Sequence, residues 1–297
     1  MRILFCDNLI DRKVDPDFEG EYNTAVTQGI QVSLISFEDL DDLNITKAIS
    51  RVKDASEMET AVYRGWMIQP EKYRLLYDGL LGKSIKLINS PDEYVFCHYL
   101  PLSYAAIEDY TPLTVWTEVK EHADFDAIFK LTDIFKEDPI IVKDYVKSQK
   151  HNWLDACFIP KASDKTAVKK VVSKFLELQG AGLNVGLVFR KFEELEFLSH
   201  HSRSGMPLAK EFRLFFLNGQ MVQAFNYWDE GDYGLVEPEL EKFKNMGKTI
   251  KSNFFTMDIA ARKNGDWIIM ELGDGQVSGL PDNADKNAFY KALKNCG

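Results

Sequence analysis

Four cysteines and five histidines are few for 297 residues. Cys6, Cys97, Cys157 and Cys296 lie scattered without a CxxC pair. That excludes a zinc ribbon and predicts reduced, buried thiols in a cytoplasmic protein. His200 and His201 are adjacent, so a regular element points them to different faces. No run approaches eighteen apolar residues, and MRILFCDNLI lacks the basic and apolar regions of a secretory signal. Neither a membrane span nor export is therefore expected. No G-x-G-x-x-G follows the first strand and no GxxxxGK[ST] occurs anywhere, which removes dinucleotide and P-loop sites. Nucleophilic triads of the Ser-His-Asp or Cys-His kind are also missing. Basic charge is short too: 36 Lys and Arg stand against 46 Asp and Glu, for a net −10. That balance argues against nucleic acid or anionic lipid as a partner of the whole surface.

The chain is rich in apolar and aromatic residues, 45% and 12%, which is enough for one large core or two modest ones. Over the first ninety residues short apolar runs at 2–6, 30–36, 61–66 and 84–88 alternate with helix-compatible stretches such as 46–57 and 71–81. Such alternation predicts a parallel sheet in a small α/β domain spanning 1–90. Asn89-Ser90-Pro91-Asp92 reads as a helix start and marks the boundary. Residues 91–137 are aromatic-rich and partly helical, broken by Pro101 and Pro112.

From Pro139 the pattern changes. PIIVKDYV and ACFIP (156–160) read as strands. An amphipathic helix follows, capped by Ser163 or Asp164, with Val168, Val171, Val172, Phe175 and Leu176 on one face. Lys169, Lys170 and Lys174 form its solvated face, and NVGLVFRKF (184–192) is the next strand. Asn218-Gly219 and Asn264-Gly265, each between strand-like runs, signal two β-hairpins.

Register turns the hairpins into chemistry. Two-residue turns place Asp258 opposite Glu271 on one face, among residues too apolar for a solvated strand. Hard divalent cations take such oxygen ligands, and Mg²⁺ binds one or two carboxylates plus substrate phosphates. In the first hairpin the same count sets Arg213 opposite Ala224, as an anion clamp or a surface snorkeller. Lys143 ends an apolar run, with Lys147 and Lys150 just beyond, as point charges for phosphate.

The phrases VYRGWM (62–67), IIVKDYVKSQKHNW (140–153), GLVFRKFEEL (186–195), KEFRLFFLNGQMV (210–222) and FFTMDIAARKNGDWIIMELGDGQVSGL (254–280) occur in this order. Together they resemble the ATP-grasp superfamily, in the clade named for two signature arginines and a lysine. The resemblance implies an α/β and α+β architecture: a small pre-ATP-grasp domain over 1–90, then an ATP-grasp domain over 91–297. Its small lobe would cover about 138–190. Its large lobe would take 191–297 with parts of 91–137, and the two α+β lobes would enclose ATP.

By that resemblance Lys143 binds phosphate, and Lys147 and Lys150 stand where a glycine-rich loop is usual. Arg190, Lys191 and Phe192 lie on the strand linking the lobes, whose backbone meets adenine, and Glu193 or Glu194 meets the ribose. Asp258 and Glu271 match the Mg²⁺ carboxylates. Gly273 stands where the family often has Asn, with Asp274 as the substitute ligand. Arg213 contacts the transferred phosphate, and Arg64 or Arg190 is the second functional arginine. The implied activity is ATP-dependent ligation of a carboxylate to an amine or thiol through an acyl phosphate, on a small-molecule or peptide substrate. A kinase that stops at phosphoryl transfer and an ATP-binding assembly factor are the alternatives.

Overall fold

Arg2–Cys6 is buried along its whole length, and that places it at the centre of a sheet. In the computed structural model, which describes residues 1–202, 206–234, 238–282 and 284–295, it is β1. Next come α1 (Glu19–Thr27), β2 (Gln31–Ile35), α2 (Phe37–Asp41), α3 (Ile45–Ala48), β3 (Glu59–Arg64), α4 (Pro70–Leu81) and β4 (Ile85–Leu87). The four strands form a parallel sheet in the order β2-β1-β3-β4. The expected helix over 46–57 is cut short: Asn44 caps α3, but Ala48 is its last residue.

Ser90 starts α5 (Pro91–His98) with a reciprocal capping box to Glu93, and α6 (Leu100–Ile107) follows. Tyr94 packs into the first domain's core, whereas Cys97, Leu100 and Ile107 pack into that of the large lobe. This helical pair therefore joins two cores.

The small lobe begins at β5 (Thr114–Glu118), earlier than the expected 138, because β5 pairs with a strand far along the chain. It continues through α7 (Phe125–Thr132), β6 (Ile140–Asp144), α8 (Trp153–Ala156), β7 (Phe158–Ile159), α9 (Lys165–Gln179) and β8 (Gly186–Lys191). The antiparallel order is β5-β8-β6-β7. Asp164 caps α9 by accepting from the amides of Thr166 and Ala167, and Val168, Val171, Val172 and Phe175 are buried as the periodicity demands. One sheet face, with Ile140, Val142, Leu187 and Phe189, packs on α7 and α9. Strand alternation turns Ile141, Lys143, Val188 and Arg190 to the other face.

The large lobe holds β9 (Phe197–His200) and β10 (Pro207–Ala209), a small hairpin, then β11 (Glu211–Leu217), β12 (Gln220–Asn226), α10 (Leu240–Gly247), β13 (Phe254–Ala261), β14 (Trp267–Asp274) and α11 (Lys286–Asn295). Its antiparallel sheet runs β12-β11-β13-β14. One face, with Leu214, Phe216, Met257 and Ile259, is covered by α5, α6 and α10. On the other face Phe215, Leu217 and Phe254 pack against Ile3, Phe5 and Val62 of the first sheet and against α11. The far end of that second face carries Arg213 and Asp258, turned toward the small lobe. Cys6, Cys97 and Cys157 are buried free thiols; Cys296 lies outside the described residues. No helix among the described residues is long and apolar enough to cross a membrane.

Candidate active site

Three adjacent strands set one row of charge. Arg213 on β11 faces Asp258 on β13, and Asp258 faces Glu271 on β14. Arg213 grips Asp258 with two parallel bonds, Nε to Oδ1 at 2.8 Å and Nη2 to Oδ2 at 2.7 Å. Its Nη1 donates to the Gly279 carbonyl at 3.1 Å, and its guanidinium lies 4.7 Å from the Tyr227 ring centre. From the small lobe Lys143 closes the row, its Nζ 3.3 Å from Glu271 Oε2. Across the cleft the charges read Lys, Glu, Asp, Arg.

The electrostatics follow from that order. Burial pushes the Glu271 carboxyl up, but Lys143, Lys150 and Arg213 outweigh it and hold the group down at about 2. Asp258 is nearly inaccessible, and burial raises its pKa against the pull of Arg213. Lys150 reaches solvent, yet loses part of its hydration in the cleft. Glu271, Tyr227, Glu211 and Asp258 more than compensate and raise its pKa. Glu211, two residues before Arg213 and so on the same face, is pushed up to about 7 by burial, with Lys150 opposing.

Both hairpins depart from two-residue register. After Leu217↔Gln220 and Phe216↔Met221 the ladder slips, so Arg213 opposes Phe225 rather than Ala224. The extra residue, Val222, also brings Tyr227 to the face of Arg213. At Asn264-Gly265 the loop has three residues, with the Arg262 amide bonded to the Asp266 carbonyl at 2.8 Å and Gly265 at φ 92°. Pairing near the turn is thus one residue off, with Ala261 opposite Trp267. A second irregularity at Met270 restores the expected count, and Asp258 faces Glu271 after all.

The other expected site residues are placed as follows. Arg64 is buried, bonded twice to Glu21 at 2.9 Å and to the carbonyls of Gly275 and Ser278. It is a strut between the first sheet and the segment after β14, and all three guanidinium nitrogens are engaged in these bonds. Arg190 shares the cleft-facing side of the small sheet with Lys143 and donates to the Met270 carbonyl and to Thr111. Burial drops its pKa to about 10, and its Nε has no partner among the described residues. Lys191 points to the opposite face and pairs with Asp138 at 2.7 Å, so only its backbone borders the link between lobes. Phe192 meets the stacked rings of Trp153 and Phe158, edge-on to Phe158 and tilted to Trp153. Glu193 and Glu194 pair with Arg262 and Lys263 at 3.1 Å each, tying the link to the β13–β14 turn.

Asp274 does not join the metal carboxylates. Three residues beyond Glu271 on the same strand, it lies on the opposite face, fully buried. It accepts from Asn89 Nδ2 at 2.6 Å and from the Gln276 amide at 2.9 Å, and burial raises its pKa to about 7. At Gly273, on the face of Glu271, a Cβ would meet Thr256 Oγ1 at 2.7 Å and Ser278 Oγ at 2.9 Å, so two hydroxyls occupy that space. Among the described residues no three His, Cys, Asp or Glu side chains converge to cage a metal. Asp258 and Glu271 form a facing pair of carboxylates, the oxygen chemistry that Mg²⁺ takes together with phosphate oxygens. Sequence reasoning passed over Asp144, Glu211 and Tyr227. Glu211 was legible from strand alternation with Arg213; the other two needed a bulge and a loop conformation.

The family model for the ATP-grasp domain, R2K clade family 3, matches residues 132–293. No curated protein matches the chain in sequence. Among solved structures the chain is similar to the D-cycloserine synthetase DcsG (13% identity, 99% of each chain, TM-score 0.62). It is also similar to the ATP-grasp ligase PsnB complexed with precursor peptide PsnA2 and AMPPNP (12%, 99% of this chain and 96% of that chain, 0.59). The macrocyclase MdnC bound with precursor peptide MdnA from Microcystis aeruginosa is a third (11%, 99% and 100%, 0.56). At these identities the likeness is one of fold.

Proposed function

From its place in the ATP-grasp superfamily, R2K clade family 3, to which the chain belongs, we propose that this protein is an ATP-dependent carboxylate–amine (or thiol) ligase. The observation that carries the reading is the row Lys143–Glu271–Asp258–Arg213, built from both lobes and lying in the cleft between them. In this arrangement each carboxylate is neutralised by a cation of the chain. Asp258 and Glu271 would hold Mg²⁺, which when bound neutralises phosphate charge. Arg213 and Lys143 then have phosphate oxygens as alternative partners, so the site exchanges internal ion pairs for contacts to ATP.

The chemistry is two displacements. A substrate carboxylate oxygen attacks the γ-phosphorus and the β–γ bridging P–O bond breaks, releasing ADP and leaving an acyl phosphate. An amine then attacks the acyl carbon, the C–O bond to phosphate breaks, and inorganic phosphate and the amine proton leave. Arg213, on the large-lobe floor, is placed to stabilise charge on the transferred phosphoryl group, with Lys143 and Lys150 opposite. The cleft also has to exclude water, or the acyl phosphate hydrolyses. The link at 192–196, tied to the β13–β14 turn, supports closure of one lobe on the other.

The substrate class is an amino acid or peptide; the two peptide-bound neighbours, PsnB and MdnC, agree with it. The test is ADP and phosphate release across panels of amino acids and short peptides, with mass spectrometry of the products. Release that requires both a carboxylate and a nucleophile, with a product lighter by one water than its two parts, is the expected result. ADP release with a stable phosphorylated product would replace the ligase by a kinase. Nucleotide binding without turnover under any pairing would replace it by an assembly factor.

A further inference from the structure

The segment after β6 stands where a phosphate loop belongs, yet residues 144–152 contain no glycine. Asp144 explains how the turn is nevertheless fixed. It is fully buried, and its Oδ1 accepts from the amides of Val146 (2.7 Å) and Lys147. Oδ2 accepts from the Asn184 amide at 3.2 Å, Asn184 Nδ2 at 2.8 Å and Gln179 Nε2 at 3.2 Å. The Asp144 amide donates to the Lys147 carbonyl at 2.9 Å. One carboxylate therefore pins the loop to the end of α9 and to the entry of β8.

This wiring has a chemical consequence. A glycine-rich loop turns successive backbone N–H groups toward phosphate. Here the amides of Val146 and Lys147 point inward to Asp144 and are spent. Toward the cleft the loop brings side-chain charge: Lys147 is exposed, and Lys150 reaches solvent in the field of Glu271, Glu211 and Asp258.

Resting on the nucleotide reading above, we infer that Asp144 is a positioning residue that makes this loop a lysine-borne phosphate grip in place of a backbone cradle. Asp144 touches no substrate; it sets where Lys147 and Lys150 start from.

Equilibrium binding of Mg·ATP, Mg·ADP and adenosine to the full chain tests this, with wild type, Asp144→Asn and Asn184→Ala, at low and high KCl. Asparagine keeps one acceptor for the turn amides but sets its own NH₂ against the Asn184 donors. The expected result for Asp144→Asn is about tenfold or greater weakening of ATP and ADP, with adenosine within about twofold. Asn184→Ala should follow the same pattern more weakly. Wild-type ATP affinity should fall steeply with salt while adenosine affinity does not, since solvent-reached lysines are screened and backbone amides carry no net charge. Equal losses for ATP and adenosine would overturn the inference, as would unchanged ATP binding by a folded variant. If Asp144→Asn does not fold, the wild-type salt series decides: a flat ATP response means a backbone cradle. Failure of wild type to bind Mg·ATP at all would instead take down the functional reading.

Discussion

Single carboxylates in this site do different work because their surroundings differ. Asp258 is inaccessible and holds both faces of the Arg213 fork, whereas the Glu271 side chain is 41% exposed and meets Lys143 at one oxygen. Removing one partner of a buried pair leaves an uncompensated charge, and a half-open pair costs far less. Asp258→Asn should therefore destabilise by about 3 kcal/mol and Glu271→Gln by about 1 kcal/mol or less in urea titrations. Both should abolish Mg²⁺-dependent nucleotide binding. Equal stability losses would mean that the Arg213 fork is not the stronger pair. Glu211 makes a second, pH-dependent case. Its folded value near 7 lies above the ordinary carboxylate value, so its contribution to stability is full below about pH 4. That contribution is lost as pH rises through about 7. Glu271 has the opposite sign: held near 2, it stabilises above the ordinary value and loses that as pH falls toward 2. Between pH 5 and 8 the wild type should lose stability relative to Glu211→Gln, measured as the difference in urea midpoints. Parallel profiles would place the Glu211 titration elsewhere.

At the scale of elements, what was legible tracks how local the determinant is. β1 was read to the residue, and so was the apolar face of α9, because a buried run and a 3.6-residue period are properties of the segment itself. Hairpins at both Asn-Gly pairs were legible for the same reason. Bulges were not: Val222 and Met270 carry no local mark, and they decide which residues share a face. The Asp258–Glu271 pairing came out right because two departures from simple register, at the turn and at Met270, cancel. The Arg213–Ala224 pairing came out wrong because nothing cancels Val222. Arg64 and Asp274 were misread for a related reason. A buried arginine and a buried aspartate look like site residues in sequence, and only the fold brings Glu21 and Gly275 to one and Asn89 and Gln276 to the other. Likewise β5 belongs to the small lobe through a pairing with β8 some seventy residues downstream.

For the whole molecule, charge is divided as the lobes are. Residues 143–174 hold eight lysines and three aspartates, a local +5, and the rest of the chain carries −15. Bringing the lobes together sets the Lys143 and Lys150 ends of the basic segment against Asp258, Glu271 and Glu211 of the acidic body. A magnesium nucleotide inserts opposite charges between these surfaces, so its binding should be coupled to the joint between lobes and not only to the pocket. At one hundred times its Kd, Mg·ATP should add about 2.7 kcal/mol, a rise in Tm of roughly 4–5 °C. ATP without Mg²⁺ should give much less, because the two facing carboxylates then repel the phosphates. Hydrogen exchange should slow in 144–150, in 192–196 and in the β13–β14 hairpin together, while α2 and α3, which pack beside α4 in the core of the first domain, stay unchanged. Protection confined to the loop at 144–150 would show that nucleotide binds the small lobe alone. A Tm rise independent of Mg²⁺ would remove Asp258 and Glu271 from the site.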